Sequence, residues 1–140
     1  MTRNWGKAIL AGLIGTLVMT LVGLYVAPLM GFEKSNPAEM LAMKMGGNMM
    51  LGWIAHFMIG VILAVIYAFV APSIPGAPVV RGALFGIAPW LFAMVIMMPM
   101  MGMPMFMGAM MPALGSLMGH VIFGAVVGAV YGHPDTPPAM

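Results

Sequence analysis

Four apolar runs, residues 8–30, 48–71, 79–101 and 113–132, are set apart along this chain by connections rich in proline, glycine or charge. Each holds about 20 residues, enough for a helix rising about 1.5 Å per residue to cross about 30 Å of hydrocarbon. A spanning strand would need alternating apolar and polar positions and a closed barrel to pair its backbone groups, and that alternation is absent. The pattern therefore predicts an all-α membrane protein with four transmembrane helices. Arg3 and Lys7 precede the first run in the manner of a signal peptide, but the run is too long for an h-region and no A-x-A-like site follows it. It is read as a true span.

The apolar runs also repeat. HFMIGVILAVIY (56–67) and HVIFGAVVGAVY (120–131) share His, Gly, a small residue and Tyr at identical spacing, 64 positions apart. Upstream, residues 15–31 parallel 86–102 at an offset of 71, aligning Gly15 with Gly86, Pro28 with Pro99, Met30 with Met101 and Gly31 with Gly102. The chain then reads as a single integral membrane domain over 1–140, with repeat one at about 8–70, repeat two at about 79–132 and a short tail, 133–140. A duplicated two-helix unit predicts two tandem helical hairpins of the same orientation, related by a pseudo-two-fold axis along the membrane normal. Pro28 and Pro99 should bend both hairpins alike, while Pro89, Pro99 and Pro104 should kink or shorten the third span.

Between the first two runs, Asn36-Pro37-Ala38-Glu39 combines an N-cap, a proline at the first helical position and an acid at the third. This start and the Gly46-Gly47 stop predict a short helix over about 37–45, carrying Met40, Leu41 and Met43–Met45 at the membrane surface. Pro134, Pro137 and Pro138 exclude a long helix in the tail. Arg3, Lys7 and Arg81 fall on one side of the spans, whereas Lys34 and Lys44 share the other with Glu33 and Glu39. The positive-inside rule then places both termini and the 71–80 loop in the cytoplasm and the hairpin connections outside, in a cytoplasmic (inner) membrane. Trp5 and Trp53 fit an interfacial belt, and Trp90 lies deeper.

Composition agrees with the pattern. Of 140 residues 63% are hydrophobic and 6% charged, against about 25% charged in soluble domains; the mean hydropathy is +1.08. No cysteine is present, so disulfides and thiolate metal sites are excluded. Five basic residues make the sequence basic without implying a nucleic-acid partner.

On a helix, His56, Gly60, Ala64 and Tyr67 share one face, and His120, Gly124, Gly128 and Tyr131 share its twin. The small residues form the small-xxx-small pattern that lets membrane helices approach closely. An ionisable side chain in a span faces the protein interior or water. The pair admits three readings: axial ligands of a b-type haem held between the second and fourth helices, ligands of a copper ion with nearby methionine sulfurs, or hydrogen bonds that rigidify the bundle.

Of 21 methionines, two clusters map to one predicted side: ten between Met94 and Met111, including the alternation Met101, Met103, Met105, Met107, and five more at Met40, Met43, Met45, Met49 and Met50. Thioether is a neutral soft ligand suited to Cu(I), and also a flexible filler of apolar surfaces. Enzymatic chemistry is poorly supplied. Glu33 and Glu39 lie in a connection and Asp135 in the tail, so no carboxylate falls within a span, and Ser116, one turn before His120, suits helix packing. The chain is expected not to be an enzyme.

The duplicated hairpin with its HxxxG and Tyr resembles small uncharacterised four-helix membrane proteins of bacteria and archaea, a group without assigned activity. That resemblance covers most of the chain and implies the four-span fold. The sequence thus suggests a small non-catalytic membrane subunit of a larger, respiratory or otherwise redox, complex, with the lipid bilayer and other membrane subunits as partners. The alternative is a bis-histidine haem b or Cu(I)-handling protein that uses His56 and His120 or the methionine clusters.

Overall fold

Asparagine opens three of the helices. Asn4, Asn36 and Asn48 accept backbone N–H groups from Lys7, Ala38 and Leu51 at 2.9, 3.0 and 3.2 Å, occupying donors that a helix start leaves unpaired. The computed structural model describes residues 3–133, so Pro134, Asp135, Pro137 and Pro138 lie outside the described residues. All regular elements among the described residues are helical: α1 (Trp5–Leu21), α2 (Pro37–Lys44), α3 (Met49–Val70), α4 (Pro78–Phe92), α5 (Met98–Met100) and α6 (Met110–Tyr131). Four helical stretches, Trp5–Met30, Met49–Ser73, Pro78–Met100 and Met110–Tyr131, are long and apolar enough to cross a membrane. The protein is read as a multi-pass membrane protein on that basis. α2 is the short helix predicted from the Asn36-Pro37 start. Its stop is at Gly46 and Gly47, with φ of +73° and +80°, conformations that cost glycine little.

The first and third spans end in the same way. A π-turn at Val22–Val26 follows α1, and another at Ala93–Met97 follows α4, 71 positions on. In each, the N–H at the turn's exit reaches back five residues, from Ala27 to Val22 and from Met98 to Ala93. The next residue is proline, Pro28 or Pro99, which has no N–H to continue the ladder. The carbonyl of Gly23, left without a helical donor, accepts the N–H of Ser35 at 3.1 Å, so the returning connection is fastened to the bend. Both spans then close at a left-handed glycine, Gly31 at φ +92° and Gly102 at φ +79°. Pro89, in contrast, stands inside α4, which continues to Phe92.

Packing follows the small residues. α1 lies between α3 and α6, α4 packs along α6, and α2 rests on the start of α3. Gly12 faces α3: a methyl group there would stand 2.7 Å from the Val61 Cα and 2.9 Å from the Gly60 carbonyl oxygen. Three residues on, Gly15 faces α6, where a methyl would meet Val127 at 2.9 Å and Phe123 at 3.1 Å. α4 meets α6 through Gly82 and Gly86 against Gly124 and Gly128, so closely that an added carbon at Gly124 would stand 3.0 Å from the Gly86 nitrogen. α1 therefore needs two small-residue faces and α4 one. A two-fold relation between hairpins would make the α1–α6 and α3–α4 contacts equivalent. The first pair packs along its length, whereas the second touches at few positions, among them the Tyr67 and Phe85 rings at 5.3 Å.

The main core joins Ala8, Ala11, Ala64, Tyr67, Phe85, Phe123, Val127 and Tyr131. A second cluster occupies the opposite, methionine-rich end. There Met94 and Met98, 1% and 5% exposed, pack with Ala113, Met40, Trp90, Met101, Met103 and Met107. The Lys44 ammonium donates to the Met101 carbonyl at 2.8 Å, tying α2 to the end of the third span. The Trp90 indole donates to the Ala113 carbonyl at 3.1 Å.

Candidate functional site

His56 and His120 line one small cavity between α1, α3 and α6, together with Thr16, Met19, Ile59, Gly60, Leu63 and Phe123. Two histidines 64 positions apart in sequence are thus brought to the same place. The route is the packing just described: Gly60 lets α3 sit against α1, and Gly15 lets α1 sit against α6.

Each imidazole is oriented by its outer neighbours. The Thr16 hydroxyl donates to the Gly12 carbonyl at 2.7 Å and the Thr20 hydroxyl to the Thr16 carbonyl at 2.6 Å. A threonine hydroxyl has one proton, and Thr20 has spent it on Thr16. The 2.8 Å contact between Thr20 Oγ1 and His56 Nε2 must then run from the ring, which places the His56 proton on Nε2. In His120 it is Nδ1 that lies 2.8 Å from the Ser116 carbonyl oxygen, and a carbonyl only accepts, so Nδ1 carries the proton. Neutral imidazole has one protonated nitrogen. His56 Nδ1 and His120 Nε2 are left as bare lone pairs, with no hydrogen-bond partner among the described residues. Ser116 contributes its carbonyl here, where the sequence suggested a packing hydroxyl.

The cavity measures about 60 Å³, room for one ion or a few waters. Pockets that hold organic ligands run to about 300–1,000 Å³, so a porphyrin does not fit. The stripes that would have made room for haem are also filled. Gly60 abuts Thr16 of α1, and Gly124 and Gly128 abut Gly82 of α4; Ala64 likewise lies near Gly12 of α1. These residues serve packing within each hairpin and do not open a space between the second and fourth helices beyond that small cavity.

Of the methionine alternation, Met101, Met103 and Met107 join the buried Met94–Met98 cluster, while Met105 is 54% exposed and stands outside it. Phe106 and Met107 carry positive φ of 54° and 57°, a left-handed pair unusual for side chains of this size. The sequence reading missed Met19, Thr16 and Thr20. Their signal is the i, i+4, i+8 series Gly12-Thr16-Thr20 inside an apolar span, since a hydroxyl there either bonds back to its own helix or serves a neighbour. The twin positions in the second repeat, Ile87 and Leu91 at the offset of 71, lack a hydroxyl, which explains why His120 turns to its own helix.

Among the described residues no group of three or more His, Cys, Asp or Glu is placed to hold a metal ion, so a site here rests on imidazole and thioether. A family model described as "Family of unknown function (DUF6789)" matches residues 2–140. No curated protein and no solved structure matches the chain.

Proposed function

The chain belongs to DUF6789, a family of unknown function, and we propose on its own geometry that it is a non-catalytic membrane protein that holds Cu(I) between His56 and His120. The observation that supports this is the shared cavity: two imidazoles, each with a bare nitrogen, beside the thioether-bearing Met19. Ion charge follows from the surroundings. The cost of placing an ion in a low-dielectric interior grows with the square of its charge, and no carboxylate lines the cavity to offset it. A monovalent soft cation with neutral nitrogen and sulfur ligands meets both conditions. Thr20 and the Ser116 carbonyl hold the far nitrogens of the rings, as outer partners of metal-bound histidines do. Anaerobic titration of the purified protein with Cu(I) against a chromophoric chelator is expected to show one ion per chain. Transfer of all copper to a chelator of micromolar affinity would reject the reading.

A second reading is a subunit of a larger, redox membrane assembly. It is favoured by the scant contact between α3 and α4, which leaves a flank of the bundle open. Extraction in mild detergent is expected to retain larger partners on the chain; recovery of the chain alone from every mild detergent counts against this reading.

A further inference from the structure

At the end of the bundle away from the methionines, three polar side-chain atoms are buried without a hydrogen-bond partner: the Tyr67 hydroxyl and the Nε and Nη1 atoms of Arg81. They lie together. Tyr67 is 0% exposed and its ring stands 5.3 Å from Phe85; Arg81 is one turn before Phe85 on the same face of α4. Tyr131 closes the other side, its ring 5.9 Å from that of Tyr67.

A water molecule would satisfy the hydrogens but not the charge. A guanidinium cannot shed its proton, and Arg81 holds its charge half-buried, where a counter-charge is worth more than in open water. Glu33 and Glu39 belong to the opposite end, beside α2, so no carboxylate among the described residues serves it. The surroundings add positive potential. Arg3 lies at the same end, donating to the Ala68 carbonyl at 3.1 Å and sitting 4.8 Å over the Phe69 ring. α4 also begins here, at Pro78, with no side chain capping its first turn, which leaves the N–H groups of Val79 and Val80 without helical acceptors.

We infer that Arg81 and Tyr67 form a binding site for a phosphoryl anion at this end of the bundle. The planar guanidinium fork matches two oxygens on one phosphorus, and the phenol offers a third donor. Arg81 is only half-buried, so the anion enters along its outer edge. Phospholipid headgroups and inorganic phosphate share this chemistry, and the position at the end of a span brings headgroups within reach.

The test uses the full chain in a maltoside detergent free of phosphate, with phosphatidylglycerol and inorganic phosphate as separate probes. Retained lipid is counted by native mass spectrometry, and thermal unfolding is followed in parallel. One phosphatidylglycerol per chain and a raised unfolding midpoint are expected. Tyr67→Phe, which keeps the ring, should weaken binding about ten-fold, and Arg81→Gln about a hundred-fold. If Arg81→Gln does not fold, Tyr67→Phe and Arg81→Lys carry the comparison. A response to inorganic phosphate at millimolar concentration, lost in the same variants, identifies a soluble anion as the ligand; a response to lipid alone identifies the headgroup. Equal binding in wild type and Tyr67→Phe overturns the inference, as does a wild type indifferent to both probes. Binding that emerges only in Asp135→Asn also overturns it, because the chain's own carboxylate would then take the place.

Discussion

Gly124→Ala is expected to destabilise the protein by about 3 kcal/mol or more, at the upper end of what overpacking costs. The added carbon would run into the Gly82 carbonyl and stand 3.0 Å from the Gly86 nitrogen. Both obstacles are backbone, so no rotamer relieves them and α4 must move bodily away from α6. In a membrane the loss is not recovered by solvent exclusion, because close van der Waals packing is what holds such helices together. Gly119→Ala provides the control. Its nearest neighbour is the flexible end of Met19, at 3.7 Å, and alanine is the better helix former by about 1 kcal/mol. Reversible unfolding in mixed micelles should separate the two variants clearly. Equal stability for both would mean that α4 and α6 are not in the contact described.

His56→Leu and His120→Leu are each expected to abolish Cu(I) binding at stoichiometric levels while leaving the four spans in place. Leucine restores apolar volume, so loss of copper without loss of helix content assigns the effect to the imidazole. Met19→Leu removes the sulfur and keeps the shape; its affinity should fall, with the protein equally stable. Thr20→Val acts one step further out. It deletes the acceptor that holds His56 Nε2–H at 2.8 Å, and outer partners of metal-bound histidine are worth about 10- to 100-fold in affinity. The order of loss, histidines first, then Met19 and Thr20, distinguishes a site from adventitious binding to 21 methionines. If instead replacing Met101, Met103, Met105 and Met107 by leucine removes the copper and the histidine variants keep it, the ion belongs to the methionine-rich end.

The four spans and the α2 start were legible in the sequence because each depends on local chemistry. Apolar length decides a crossing helix, and Asn36 with Pro37 decides a helix start whatever lies nearby. Partner choice was not legible. Gly60 and Gly124 carry the same pattern, and the pattern says that something comes close without saying which helix. The answer depends on α1, whose Gly12 and Gly15 lie three residues apart, about 60° round the helix, and face α3 and α6 respectively, while Gly82 and Gly86 of α4 both face α6. Nor could spacing show that His56 would reach across to Thr20 while His120 turns back to Ser116. The repeat aligns the rings; only the hydroxyl of α1, absent from its twin, makes their partners differ.

The placing of α1 between α3 and α6 also bears on the order in which the chain becomes whole. Gly12 with Gly60 and Gly82 with Gly124 join spans that are consecutive in synthesis, so each hairpin can close soon after its second span enters the bilayer. The face of α1 around Gly15 has no such early partner. It waits for Phe123 and Val127 of α6, the fourth span, and the cavity between the two histidines comes into being only when α6 docks on α1.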